Sequence, residues 1–417
     1  MVQIHIPPAL QHRSFRLLWF GLMVSVAGSQ MQVAAIHWHI RELTGEPNPL
    51  ALGGIGLARI LPVIAFSLIG GTVADAYNRK RIMFVTQSVM ALTALALAAL
   101  TFGGQVSIWT IYALTAIQAS AIAFDLPARQ ALIPNLVPAR DLPNAFSLTS
   151  IAFNTGAILG PALSGFVIAE WGQGYTYLIN ALSFGAVLLA LALLGPVTQQ
   201  KLKRQTSGLA AMREGIHFIV SHPIILSSML LDFFATFFSS ANTMMPIIAR
   251  DILKVGERGY GLLSSAQSIG AVTAGLIVSQ LREIRRQGPT FLYAVVVFGL
   301  ATIGFGLSRQ FALSMAALIL MGAADSVSTI IRNTIRQLQT PDYIRGRMTS
   351  INQIFFQGGP QLGEVEAGIA AQLFGVPFAI ISGGVGCIVA VALIAHRWPQ
   401  LARYNGDEPI RAGAAAD

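Results

Sequence analysis

The chain has 417 residues, of which 54% are hydrophobic and only 11% are charged, and its formal net charge is +9. A soluble protein carries roughly a quarter charged residues, so this composition excludes an ordinary soluble enzyme. The basic residues cluster at the ends of apolar segments, an arrangement that reports membrane orientation and argues against a nucleic-acid partner.

Apolar segments long enough to cross a bilayer, about 20 residues each, recur along the whole chain. They predict an all-α polytopic membrane protein with twelve transmembrane helices. The predicted spans lie near residues 15–42, 50–74, 82–102, 106–128, 143–168, 174–195, 223–249, 259–281, 290–307, 312–334, 347–371 and 373–395.

The distribution of the 27 Lys and Arg residues predicts the orientation of these spans. With the N-terminus inside, most of them fall on the cytoplasmic side, including those in 79–81, 201–204, 282–286 and 345–347. Five fall outside and Arg59 lies within a span; the five are Arg41, Arg250, Lys254, Arg258 and Arg309. This positive-inside bias predicts that both termini are cytoplasmic.

The longest polar interruption, residues 196–214, predicts a cytoplasmic linker between two six-helix bundles at 1–195 and 215–397. "GAILGPALSG" at 156–165 and "GPQLGEVEAG" at 359–368 share glycines and a leucine at an offset of 203 residues. The two halves are therefore predicted to be parallel repeats that rock about a site at their interface. Residues 398–417 are predicted to form a disordered cytoplasmic tail.

Polar side chains at helical spacing mark the first helix of each predicted three-helix unit, that is, spans one, four, seven and ten. This pattern predicts that the four helices line a central cavity, although hydrogen bonds between packed helices would explain any single Ser or Thr. The candidate cavity residues are Ser29, Gln32, Arg59, Gln118, Thr236, Ser239, Asp325 and Arg332.

Acidic residues inside the membrane are candidates for proton coupling, because charge in hydrocarbon is costly and faces protein or water. Asp232 lies about ten residues into its span, roughly 15 Å deep at the helical rise. Glu364 and Glu366 lie deep in span eleven. The alternative is a static structural ion pair, such as Arg59 with one of these acids.

The stretch "GGTVADAYNRKR", residues 70–81, resembles the loop motif between helices two and three of the major facilitator superfamily. The residues at motif positions are Gly71, Asp75, Arg79, Lys80 and Arg81. Asn78 stands where the family often has glycine, and Ala76 where it often has arginine. The resemblance implies that Asp75 meets the start of span eleven, near 346–349, and that Arg79 pairs with Asp125. Together these contacts would form a conformational latch on the cytoplasmic face.

Span five carries a second motif, which is similar to the antiporter motif of the same superfamily; its matching residues are Gly156, Gly160, Pro161 and Gly165. Ser164 replaces one glycine of that motif. The segment 124–147 also resembles the branch of the superfamily that contains enterobactin and macrolide-efflux exporters. Both resemblances imply export.

These observations and resemblances predict a monomeric secondary transporter of the bacterial inner membrane. It is expected to export a small organic molecule, a drug-like compound or a siderophore, by proton antiport with rocker-switch access. The alternatives are an uptake symporter of the same fold and a lipid scramblase. No enzymatic activity, cofactor or metal is predicted, because the spans contain no nucleophile–base set, phosphate loop or cluster of metal ligands.

Overall fold

A computed structural model describes residues 7–195, 197, 209–238, 243–281, 284–341 and 344–406 of the chain. Within these ranges the regular secondary structure is helical, and the long helices follow the predicted apolar segments. We number them α1 (Arg13–Leu43), α2 (Pro49–Ala76), α3 (Arg79–Phe102), α4 (Ile108–Leu132), α5 (Leu142–Trp171), α6 (Gln173–Leu193), α7 (Pro223–Phe238), α8 (Gly256–Ser279), α9 (Gln287–Leu307), α10 (Phe311–Leu338), α11 (Arg345–Phe374) and α12 (Val376–Arg397). A shorter helix, Leu209–Ser221, precedes α7.

Ten helices in the described part of the chain are long and apolar enough to cross a membrane. The count is eleven if α7 and the helix before it, which meet at a bend of 101°, form one span. The remaining long helix, α11, has the length of a span at 30 residues but carries Arg345, Arg347, Glu364 and Glu366. The multi-pass membrane fold is therefore established, while the number twelve stays a prediction.

Two compact units make up the chain, and each contains a short segment from the other half of the sequence. Unit 1 comprises Met1–Glu46, Ala58–Lys203 and Val255–Ser265. In it α1 packs against α5 and α6, and α3 packs against α4 and α6. Two of its helices begin with a polar cap: the Asn78 side chain accepts the backbone N–H of Arg81 at the start of α3, and the Ser107 side chain accepts that of Thr110 at the start of α4.

Unit 2 comprises Pro47–Leu57, Arg204–Lys254 and Ala266–Asp417. Its pairings repeat those of unit 1 six helices further along the chain: α7 packs against α11 and α12, and α9 packs against α10 and α12. An apolar cluster joins these helices, with Leu231 on α7, Phe291 on α9 and Ile335 on α10 fully buried.

The turns between the last two helices of each half also correspond. Gly172 separates α5 from α6 with φ 88°, and Gly375 separates α11 from α12 with φ 90°. A positive φ of this size favours glycine, which has no Cβ to clash. The two positions differ by 203 residues, which is the offset of the predicted repeat.

The start of the predicted disordered tail is ordered, which corrects the prediction for the residues up to 406. Pro399–Ala402 forms a helical turn, and the side chains of Leu401 and Tyr404 are buried in unit 2. The backbone N–H of Gly288 donates to the Tyr404 carbonyl at 2.8 Å, and the Gln339 side chain donates to the Tyr404 hydroxyl at 3.2 Å. Aromatic burial with both polar groups satisfied explains the order. The rest of the tail, 407–417, lies outside the described residues.

Candidate functional site: buried polar clusters in each unit

The most concentrated charge in unit 2 is an ion cluster between α7 and α10. Nη1 of Arg332 lies 2.8 Å from Oδ1 of Asp232, and Nη2 of Arg336 donates to Oδ2 of the same carboxylate at 3.2 Å. Arg332 and Arg336 are one helical turn apart on α10, so both reach one acceptor on α7. Asp232 is 2% exposed, and both arginines are buried as well.

The two arginines differ in how completely their donors are satisfied. Arg336 also donates to the Ser228 carbonyl at 3.1 Å and to Oδ1 of Asn352 at 2.6 Å. Arg332 has weaker secondary contacts: Ser328 at 3.4 Å and the carboxylate of Asp325 at 3.6 Å. Its ion pair with Oδ1 of Asp232 is short, but its angle is not that of an aligned hydrogen bond. Arg336 is therefore a fixed anchor, and Arg332 is the arginine that can exchange partners.

The cluster is neutral when its two arginines and two aspartates are ionised. Asp325 has a side chain 47% exposed, whereas that of Asp232 is 2% exposed, so the cluster has one accessible and one buried carboxylate. A proton on Asp232 would remove the charge that ties α7 to α10 and would leave the cluster with a net positive charge. Removing one partner of a buried ion pair leaves an uncompensated charge, which is strongly destabilising unless a new partner arrives. The cluster can therefore link protonation to movement or to ligand binding.

Unit 1 has a neutral counterpart, a chain of buried amides between α1, α4 and α6. The Gln32 amide donates to Gln118 at 2.7 Å, and the Asn180 amide donates to the Gln32 carbonyl oxygen at 2.7 Å. Ser183 donates to the Asn180 side chain at 3.0 Å. Gln32 and Gln118, both predicted from their helical spacing, therefore meet inside one unit. An amide chain can rearrange its donors without any change in charge.

The predicted pairing of Arg79 with Asp125 is wrong. Nη1 of Arg79 donates to the Ala131 carbonyl and to Oδ1 of Asn135, both at 2.9 Å. Asp125 instead accepts from Thr86 at 2.8 Å and from Gln87 at 3.0 Å. These two α3 donors share Oδ1 of the carboxylate, and Oδ2 lies 4.0 Å from Nη1 of Arg129 on α4 itself. The Arg79 side chain extends instead to acceptors at the end of α4.

The predicted helix-five motif provides the close approach of α5 to its neighbours in unit 1. A Cβ added at Gly160 would lie 2.8 Å from the Ala27 carbonyl oxygen of α1, and Gly156 packs against Val26. Ser164, the departure from the motif, donates to the Met31 carbonyl at 2.9 Å. At the other end of the helix, Gly165 lies against Gly261 of α8. Proline at position 161 lies within the continuous helix.

The other predicted site residues are spread over both units. Ser29 and Arg59 are half-buried in unit 1, and Arg59 lies close enough to His37 and Tyr260 to interact electrostatically with both. Thr236, one turn after Asp232, donates to the Asp232 backbone carbonyl at 2.8 Å. Ser239 lies outside the described residues.

The second pair of proton-coupling candidates lies on α11 of unit 2. Glu364 and Glu366 are both half-buried on α11. The Glu364 backbone passes close to α2: a Cβ added at Gly53 would lie 2.7 Å from the Glu364 carbonyl oxygen. Of the latch residues, Gly71 has open space around its missing Cβ and Arg81 is exposed, while the Asp75 side chain is outside the described part of the structure.

Helical spacing in the sequence already places Arg336 on the polar face of span ten, four residues after Arg332. Sequence reasoning missed one member of these clusters, Asn180. Asn180 is fully buried on α6, whose predicted span 174–195 contains no charged residue. A neutral amide in such a span carries no charge signal, so only its hydrogen-bond partners in the structure identify it as part of the cluster.

Comparison with known proteins gives consistent matches over almost the whole chain. A family model described as transmembrane secretion effector matches residues 6–408. The enterobactin exporter of Citrobacter koseri is 26% identical over 97% of this chain and 96% of its own length. The staphyloferrin A transporter of Staphylococcus aureus is 26% identical over 89% of this chain and 93% of its own length. The multidrug efflux pump Tap of Mycolicibacterium fortuitum is 24% identical over 86% of this chain and 90% of its own length.

Solved structures match the fold at lower sequence identity. A bacterial homologue of the human lysosomal transporter Spinster, in an inward-facing and unoccupied conformation, gives a TM-score of 0.73 at 13% identity over 96% of this chain and 99% of that one. A POT family transporter in complex with 5-aminolevulinic acid gives a TM-score of 0.75 at 11% identity over 93% of this chain and 96% of that one.

Proposed function

Because the chain belongs to the transmembrane secretion effector family of the major facilitator superfamily, we propose that it exports a small organic molecule in exchange for protons. Like its relatives, the protein is a transporter and not an enzyme. Three relatives carry names of siderophore or drug transport, which supports a drug-like compound or a siderophore as the substrate. The observation that carries the proton step is the buried Asp232 carboxylate shared by Arg332 and Arg336.

The proposed coupling uses the charge of this cluster. When Asp232 is ionised, ion pairs tie α7 to α10; when it is protonated, Arg332 loses its main partner and turns towards Asp325, 3.6 Å away. Substrate and proton must occupy different states in an antiporter. Antiport therefore requires a substrate that binds while Asp232 is ionised, for example through hydroxyl or ammonium donors at the half-exposed Asp325.

The same two arginines favour one alternative, a proton-coupled symporter. An anionic substrate could take Arg332 only after Asp232 is protonated, so proton and substrate would bind together and move in the same direction. The charge of the substrate group at Arg332 thus separates the two functions. The relatives' names favour export, and we retain antiport as the proposal.

The proposed transport cycle is a rocker switch between two six-helix halves of a twelve-helix monomer in the inner membrane, with both termini cytoplasmic. The repeated helix pairing in the two units and the matching glycine turns 203 residues apart support the parallel repeat. Asp75, Arg79 and Arg81 remain the proposed latch of the α2–α3 turn, with Arg79 acting through Ala131 and Asn135 rather than through Asp125.

The deciding measurement is proton movement in proteoliposomes that contain the full chain and an entrapped pH dye. Siderophores, macrolides and lipophilic cations are added singly under an imposed pH gradient. Protons that move opposite to a transported compound support antiport. Co-directional movement supports the symporter, and transport of a compound without any proton movement overturns proton coupling.

A charge-neutral variant tests the role of Asp232. Asp232→Asn keeps the shape of the side chain but cannot titrate, so we expect substrate-driven proton flux to fall at least about tenfold, into the background. Glu46→Gln, which removes one carboxylate at an exposed site between α1 and α2, is the control and should retain wild-type flux. Wild-type flux in Asp232→Asn would move the coupling residue elsewhere, with Glu364 and Glu366 as the next variants.

A further inference from the structure

An apolar groove of 530 Å³ opens on the surface of unit 1 beside the α2–α3 turn. Its walls are two ridges at helical spacing, residues 82, 85, 86 and 89 of α3 and residues 117, 120, 121 and 124 of α4. Val73 of α2 and Tyr77 of the α2–α3 turn close its end. Seven residues of helix span about 10 Å. The volume lies within the range of small-molecule sites, roughly 300–1,000 Å³.

A second, more polar basin of 470 Å³ adjoins the groove and shares Asn78, Arg81 and Val85 with it. Lys80 also lines the basin and donates to the Leu194 carbonyl at the end of α6, which holds its ammonium group in place. The exposed Arg81 guanidinium has neither an acidic partner nor another acceptor among the described residues. Two cations thus stand where a polar basin meets an apolar groove.

We propose that this composite site binds an anionic phospholipid, with its phosphate on Arg81 and Lys80 and part of one acyl chain in the groove. Arginine binds phosphate through its planar fork of donors, and basic pockets between transmembrane helices select anionic headgroups. A phospholipid of the bilayer joins a charged phosphate to an apolar acyl chain, as the basin and the groove adjoin each other here. A free phosphate would use the basin but not the groove. The site shares Arg81 with the latch proposed above. Lipid binding itself does not depend on transport, and the assignment of the site to the cytoplasmic leaflet rests on the proposed orientation.

The bound chain would lie over a structural link of the unit. Thr86 forms part of the groove floor, and its hydroxyl donates to the buried carboxylate of Asp125, which joins α3 to α4. Tyr77, whose side chain is 67% exposed, stands at the polar end of the groove. We expect a lipid in this position to stabilise the packing of α3 on α4.

Native mass spectrometry of the full-length protein in mild detergent tests the proposal. Phosphatidylglycerol and phosphatidylcholine with the same acyl chains are titrated separately, and glycerol phosphate is added as the headgroup without chains. We expect phosphatidylglycerol to bind more tightly than phosphatidylcholine, and glycerol phosphate to compete poorly. Equal binding of the two lipids would overturn the proposal, and full competition by glycerol phosphate would reduce the site to a phosphate basin and overturn the lipid assignment.

Two variants address the two parts of the site. Arg81→Ala removes a charge-assisted contact and should weaken phosphatidylglycerol binding about tenfold. Arg140→Ala, at a side chain 85% exposed and outside the site, is the matched control. Val85→Trp, at a residue 61% exposed, fills the groove from its open side and should weaken binding with no change in charge. Wild-type affinity in Arg81→Ala would overturn the assignment of the headgroup, and wild-type affinity in Val85→Trp would overturn that of the chain.

Discussion

At the scale of single residues, the buried amides of unit 1 show how stability depends on the pairing of buried polar atoms. The Asn180 amide donates to the buried Gln32 carbonyl oxygen, so removal of the amide leaves that oxygen without its donor. Ser183 keeps its bond to the backbone carbonyl of residue 180 at 2.7 Å. Each unsatisfied buried group costs about 1–3 kcal/mol. Asn180→Leu, which keeps the size of the side chain, should therefore lower the free energy of unfolding by about 1–3 kcal/mol or more.

Thermal unfolding of the purified protein measures this effect. Thr101→Ala is the control, because the Thr101 hydroxyl donates only to the Leu97 carbonyl of its own helix. A melting temperature of Asn180→Leu equal to that of the control would show that the amide chain does not hold α6 to α1.

The Arg79 and Asp125 side chains show where residue-level reasoning stops. Sequence position places a cation and an anion in neighbouring spans, but Asp125 accepts from Thr86 and Gln87. It also lies 4.0 Å from Arg129, one turn along its own helix, and does not pair with Arg79. Hydroxyl and amide donors carry no charge, so they are invisible in a search for ion pairs. The Asp232 cluster was easier to predict from the sequence, because charged residues in two apolar segments require partners.

At the scale of elements, helix bounds follow from sequence better than helix contacts do. The predicted span 82–102 corresponds to Arg79–Phe102, and 174–195 to Gln173–Leu193, because apolar runs end where polar residues reach the interface. Packing partners depend on shape instead. Gly160 could be identified as a close-approach position from its motif, but only the structure shows that the neighbour is α1.

The α1–α5 contact gives a prediction for a whole helix pair. Gly160→Val would place a branched side chain where the Ala27 carbonyl oxygen lies 2.8 Å from the added Cβ, so α5 must move away from α1. Overpacking of this kind costs typically about 1–3 kcal/mol, occasionally more. We expect a lower melting temperature and reduced transport.

The matched control lies on the next helix. Gly185 on α6 has no atom within 4 Å of an added Cβ, so Gly185→Val makes the same chemical change in open space. Stability measured by thermal unfolding should remain near wild type for Gly185→Val and fall for Gly160→Val. Equal stability of the two variants would show that α5 can move away from α1 without a loss of folding stability.

At the scale of the whole molecule, charge distribution and repeat lead to one topological prediction. An even number of spans places both termini on one side, and the positive-inside bias places that side in the cytoplasm. The loop before α2, which contains Glu46, and the connection between α3 and α4, which contains Gln105, should then face outwards. Arg140, between α4 and α5, should face the cytoplasm.

Cysteine labelling can test this orientation because the chain has one cysteine, Cys387, which is buried in α12. In a Cys387→Ala background, Glu46→Cys and Gln105→Cys should react with a membrane-impermeant maleimide in intact cells, and Arg140→Cys should react only after the cells are opened. All three positions are exposed, so accessibility to solvent within the protein does not limit labelling. The reverse pattern would invert the protein in the membrane, place the α2–α3 turn outside, and require the direction of proton exchange at Asp232 to be reassigned.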